Sequence, residues 1–228
     1  MKTSRIQWIV FIVFAVVPIS FVAAQQSAWS PDHYIELTSS EFLDLPAVNA
    51  EIDFAAIDYP LLQAAVFYLT NLERTNRGMA PLAYSPELEA AAHAHSVAMR
   101  DRGFFSHTSP VPGMRSVQDR TRAAGFANPA VGENIARSFG IAYEAGRGVY
   151  SPVQNGGYFS YSYRGEPIPP HSYRSAAAAV VEQWMGSPGH RANILRSEYR
   201  HLGVGAAHFT DRSFYDMDSF YFTQNFGR

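Results

Sequence analysis

Three polar side chains stand in settings that favour chemistry. His107 follows Phe104, Phe105 and Ser106, Glu133 sits between Gly132 and Asn134, and His190 falls just after Ser187 and Pro188, a helix-start signal. Two imidazoles and a carboxylate can make a His2Glu site for a divalent metal with an open position, or an acid–base pair. A helix N-terminus disfavours imidazolium, which biases His190 toward the neutral ring that a metal requires. The sequence separations of 26 and 57 residues carry no information alone. Separate caps and core hydrogen bonds would account for the same residues.

The elements that must position these groups are legible in part. From Pro60, Leu61, Leu62, Ala65, Val66, Leu69 and Leu72 recur at helical spacing until Gly78 and Pro81. A second helix begins at Ser85-Pro86-Glu87 and ends at Gly103, with Leu88, Ala92, His95 and Met99 on its apolar face. His93 and His95 are about 200° apart around that helix and cannot share one metal. Residues 104–136 carry loop signals. A third helix spans Ala176–Met185, a short one follows Ser187-Pro188, and Leu202–Phe209 and Ser219–Phe226 read as strands joined by a polar loop. The pattern predicts an α+β fold, not a doubly wound sheet.

Composition bounds the chemistry further. The 228 residues include 18 Lys plus Arg, 20 Asp plus Glu and no cysteine. That excludes disulfides, thiolate metal sites, cysteine nucleophiles and a lipidated cysteine. Lys2 and Arg5, the apolar run at 9–17 and Val22-Ala23-Ala24 form a signal-peptide pattern, predicting removal of residues 1–24. The competing reading is an uncleaved anchor, but Gln7, Pro18 and Ser20 interrupt the stretch, and a span needs about 20 mostly apolar residues. The expected location is secreted, periplasmic or otherwise extracytoplasmic, with no membrane span after cleavage. Residues 25–59 hold seven acidic side chains and no Lys or Arg. This acidic leader either lies on the more basic domain at 60–228 or is a solvated spacer. Residues 138–175 form an insertion rich in Tyr and Gly. Such a long aperiodic stretch is either functional or a surface elaboration. The arginines are spread without a dense run, which argues against a nucleic-acid partner. Gly203-Val204-Gly205 is too short for a phosphate loop and reads as packing or twist in a strand.

The ordered motifs NLERTNRGMAPL (71–82), AAAHAHSVAM (90–99), FFSH (104–107), VGENIA (131–136), VVEQWMGSPGHRANIL (180–195), HLGVGAA (201–207) and YFTQNFG (221–227) resemble the CAP superfamily, or SCP domain, in its short bacterial branch. The resemblance implies a three-layer α-β-α sandwich with a small antiparallel sheet around a central polar cavity. It also implies that two histidines and two acids line the cavity. By position these are His107, Glu133 and His190, with zinc or another divalent cation held between His107 and His190. The slot of the second acid falls at Ser187, counted from Trp184, and Glu182 lies two residues before that tryptophan. Asn134 and Gln224 read as groups that satisfy polar partners near the cavity.

Three functions compete. The first is an exported module binding a small ligand, lipid, peptide or protein outside the cytoplasm, with the insertion as lid or contact surface. The second is a metal-assisted hydrolase, peptidase-like, in which His107 and His190 hold the metal and Glu133 is the candidate catalytic base. Catalytic zinc normally has three protein ligands, which favours binding over catalysis. The third is a purely structural polar network.

Overall fold

Capping chemistry decides where the helices start. The computed structural model describes residues 29 and 33–228, so the expected signal peptide lies outside the described residues. Three short helices come first: α1 (His33–Glu36), α2 (Ser39–Leu43) and α3 (Pro46–Asn49). Helix α4 (Tyr59–Thr75) starts where the Asp58 carboxylate accepts from the Leu61 N–H. After the two-residue strand β1 (Ala83–Tyr84), helix α5 (Pro86–Arg102) is capped by Ser85, which accepts from the Leu88 N–H. It stops at Gly103, whose φ of 63° is left-handed. Helix α6 (Val117–Ala123) opens on a capping box between Ser116 and Asp119. There follow β2 (Val131–Phe139), α7 (Pro152–Asn155), α8 (Tyr173–Gly186), α9 (Pro188–Ile194), β3 (His201–Asp211) and β4 (Met217–Gly227).

The strands form one sheet in the order β1-β3-β4-β2. Strand β4 pairs antiparallel with both β3 and β2, while β1 pairs parallel with β3. Alternation in the pleat separates two faces. Leu202, Val204, Ala206, Phe220, Phe222 and Phe226 enter the main core with residues of α4 and α8. The other face carries Gly203, Gly205 and Thr223 and receives α5: Ser96 Oγ donates to the Gly205 carbonyl at 3.2 Å and lies 2.9 Å from Thr223 Oγ1. Helices on both faces give the expected α-β-α sandwich.

One reading of the sequence changes, and one pair of alternatives is narrowed. Residues 131–139 are a sheet strand, not loop. Glu133 and Asn134 are buried there because their side chains are bonded, so the apolar alternation that marks a strand is missing. Of the two readings of the acidic segment, the structure has it lying on the rest of the chain. Phe42 and Val48 are fully buried, and with Leu43 and Ile52 they join the core of α4 and α8. Apolar burial, rather than charge, holds the segment in place. Among the described residues, no helix is long and apolar enough to cross a membrane.

Candidate functional site

Glu133 is the hub, and β2 places its side chain on the face that α5 and α6 cover. Its carboxylate is 3% exposed. One oxygen, Oε2, accepts from Arg120 Nη2 at 2.5 Å; the other, Oε1, lies 2.8 Å from His107 Nδ1. A carboxylate only accepts, so His107 donates through Nδ1, and in the neutral ring Nε2 keeps a free lone pair. The His107 side chain is 55% exposed, which leaves that nitrogen open to solvent.

Arg120 also ties down the loop that carries His107. Its guanidinium donates to the carbonyls of His107 at 3.3 Å, Met114 at 3.1 Å and Arg115 at 3.2 Å. His95, fully buried on α5, contributes a third contact 3.9 Å from Glu133 Oε1. Its Nε2 donates to the Ser106 carbonyl at 3.1 Å, and its Nδ1 has no hydrogen-bond partner among the described residues. Burial holds the His95 pKa down at about 4 against the opposing pull of Glu133, so this ring is neutral at pH 7.

His190 lies in the first turn of α9 and is partly buried. Its pKa is lowered by burial and, secondarily, by the charge of His107, so the two imidazoles lie within electrostatic reach. Asn134 Nδ2 donates to the His190 carbonyl at 3.2 Å and to Gln224 Oε1 at 3.1 Å; Gln224 in turn donates to Thr70 Oγ1 at 2.6 Å. Asn193 closes the chain, donating to the Glu133 carbonyl at 3.2 Å and to Asn134 Oδ1 at 2.9 Å.

The two candidates for the second acidic slot stand apart from this network. Glu182 is exposed on α8 and makes no hydrogen bond or ion pair among the described residues. Ser187 ends α8 and begins α9 without a side-chain capping bond. Among the described residues no three His, Asp or Glu side chains are gathered to hold a metal ion. Glu133 is buried and engaged by Arg120 and His107, and it orients the His107 ring through Nδ1.

The profile of the cysteine-rich secretory protein family, CAP, matches residues 67–226. The chain belongs to the CAP family. It is 32% identical over 140 residues to the uncharacterized protein YkwD of Bacillus subtilis (strain 168), covering 61% of this chain and 40% of that one. It is 31% identical over 158 residues to the uncharacterized membrane protein YlbC of the same organism, covering 69% and 32%. The crystal structure of an extracellular SCP-domain protein from Bacillus anthracis str. Ames is similar with a TM-score of 0.50 at 25% identity, covering 75% of this chain and 41% of that one. The chain thus spans well under half the length of these relatives. As a CAP domain without cysteine, it holds its layers together by packing and polar networks alone.

Sequence reasoning missed Arg120, His95 as a neighbour of Glu133, and Asn193. The alternation of Arg120 and Arg122 in a short polar helix resembles any solvated face. His95 sits at a core position of α5, where nothing in sequence points it toward Glu133. The insertion walls a cavity whose lining includes none of His107, Glu133 and His190.

Proposed function

We propose that this CAP protein is an exported binding module whose His107 and His190 imidazoles, steadied by Glu133, receive a small ligand or a peptide or protein group outside the cytoplasm, with a divalent cation such as zinc as the favoured bridge. The observation that carries this reading is the state of Glu133. With Oε2 on Arg120, Oε1 on His107 and only 3% of the side chain exposed, the carboxylate is poorly placed to take a proton from water. Glu182, the other carboxylate considered, is exposed on α8. This arrangement favours binding over the hydrolase reading.

His107 Nε2 and the neutral ring of His190 would hold the cation, which when bound supplies a Lewis-acid contact for an oxygen or nitrogen of the ligand. Export rests on the signal-peptide pattern at residues 1–24 and on the extracellular relative. Glu133, Arg120 and His190 stand on β2, α6 and α9, and His107 is on the loop between α5 and α6 that Arg120 holds through the His107 carbonyl.

Calorimetric titration of the metal-stripped protein with zinc, magnesium and calcium tests this, alongside His107→Ala and His190→Ala. The expected result is one zinc per chain, lost in both variants while their melting temperatures stay near that of the parent. Loss of stability in both variants without any cation response in the parent would return the network to a structural role. Turnover of a peptide library that Glu133→Gln abolishes would make the protein a hydrolase.

A further inference from the structure

Four residues beyond Glu133, about 13 Å along β2, Arg137 enters the wall of a cavity of about 650 Å3 formed by the insertion, α8 and the turn between β3 and β4. This volume is typical of small-ligand pockets. Part of the wall is aromatic: the rings of Phe139 and Phe214 stack with centroids 5.6 Å apart and remain 36% and 37% exposed.

The polar part of the wall carries no net charge. Arg137 and Asp211 neutralise each other in an ion pair. His171, 6% exposed, is supplied by the end of the insertion. His171 Nδ1 lies 2.8 Å from Ser175 Oγ, so that nitrogen is engaged within the insertion end. His171 Nε2 is left as a polar edge without a hydrogen-bond partner among the described residues. Burial holds the ring neutral, with a pKa of about 4. Gln183, exposed on α8, adds an amide that has no hydrogen bond among the described residues.

These groups restrict the ligand. A neutral wall gives an anion or a cation no net attraction. A purely apolar ligand would leave His171 Nε2 desolvated and unpaired, which is costly. Proline-rich peptides dock on aromatic grooves, but a proline residue has no N–H to offer the Gln183 amide oxygen. What fits is a molecule with a flat apolar face for Phe139 and Phe214 and a rim of hydroxyl or amide groups that pair with His171 and Gln183. A pyranose ring has both.

We propose that this cavity is a binding site for an uncharged saccharide, separate from the histidine site at the other end of β2. The test is calorimetric titration of the whole protein with three neutral probes: chitotriose, cellotriose and maltotriose. At least one is expected to bind saturably, and Phe214→Ala and Gln183→Ala are each expected to weaken it about tenfold while keeping the parent melting temperature. Phe214→Ala should leave any zinc binding at His107 and His190 intact, so failure of either site is read independently of the other. Absence of binding by all three sugars overturns the proposal, as does sugar binding that survives both substitutions. Binding of a proline-rich peptide in the same cavity, with no sugar binding, also overturns it.

Discussion

The Arg120 guanidinium reaches Glu133 Oε2 at 2.5 Å with both side chains only 3% exposed, and the same guanidinium holds the His107 carbonyl. One buried cation thus fixes both the carboxylate and the loop that presents the exposed histidine. Removing one member of a buried ion pair strands the other charge, at a cost of about 3–5 kcal/mol. Arg120→Met is therefore expected to lose roughly that much in urea unfolding. Paired with Glu133→Gln, it should lose less than the sum of the two single losses, because the double variant strands no charge. Additive losses would show that the two groups are not coupled.

The acidic segment gives a second prediction. Phe42 is fully buried and stacks on Tyr68 of α4 with centroids 4.2 Å apart. Deleting a buried phenyl ring from a packed core costs about 3–5 kcal/mol, including the cavity left behind. Phe42→Ala should thus lower stability about as much as a substitution in the middle of α4. A loss under about 0.5 kcal/mol, the range of a surface site, would mean that the segment is not part of the folded unit.

How far the sequence carried can be judged from individual residues. The starts of α4 and α5 were legible because their cap and proline signals sit beside strong apolar periodicity. The α5 face with His95 and Met99 was read from the same spacing, and both residues are buried. Strand β2 was not legible, because Glu133 and Asn134 are buried by virtue of long-range partners on α6, α9 and β4 that no local pattern encodes. Arg120 escaped for the same reason: its partners lie 13 residues away on either side, and only the fold makes it a buried cation. The acidic segment was left between two readings because its charges are frequent, while the few apolar residues that anchor it on the domain, Phe42 and Val48 above all, are sparse and aperiodic.

Acid should weaken the fold through two histidines. Burial lowers the folded-state pKa of both His95 and His171 to about 4, below the ordinary 6.5. Above pH 6.5 neither state is protonated there, so stability is unaffected. Between 6.5 and 4 the unfolded chain takes up protons that the folded chain refuses, so stability falls as the pH falls. Each histidine contributes a slope of up to about 1.4 kcal/mol per pH unit. Glu89 opposes this trend at the acid end, since burial raises its pKa against its hydrogen bonds with Tyr84 and Tyr34. Comparing the parent with His171→Gln isolates the histidine term: urea midpoints at pH 7 and pH 5 should differ less in the variant. An equal difference in both proteins would show that His171 is not a buried neutral ring.

The close seam between α5 and β3 yields the last prediction. A Cβ on Gly203 would fall 2.0 Å from the Glu89 backbone nitrogen, and one on Gly205 would fall 2.1 Å from that of His93. Both obstacles are helix backbone, so neither can swing aside as a side chain would. The methyl group must instead lift α5 from the sheet, and α5 carries His95, whose Nε2 holds the Ser106 carbonyl beside His107. Overpacking of this kind costs about 1–3 kcal/mol and sometimes more. Gly205→Ala is expected to lose at least that much in urea unfolding and also to weaken zinc binding, although position 205 touches neither metal-binding candidate. Gly189→Ala is the control, because no atom lies within 4 Å of the added Cβ. If Gly205→Ala matches that control in stability, the helix and sheet are not in the tight contact that these glycines permit.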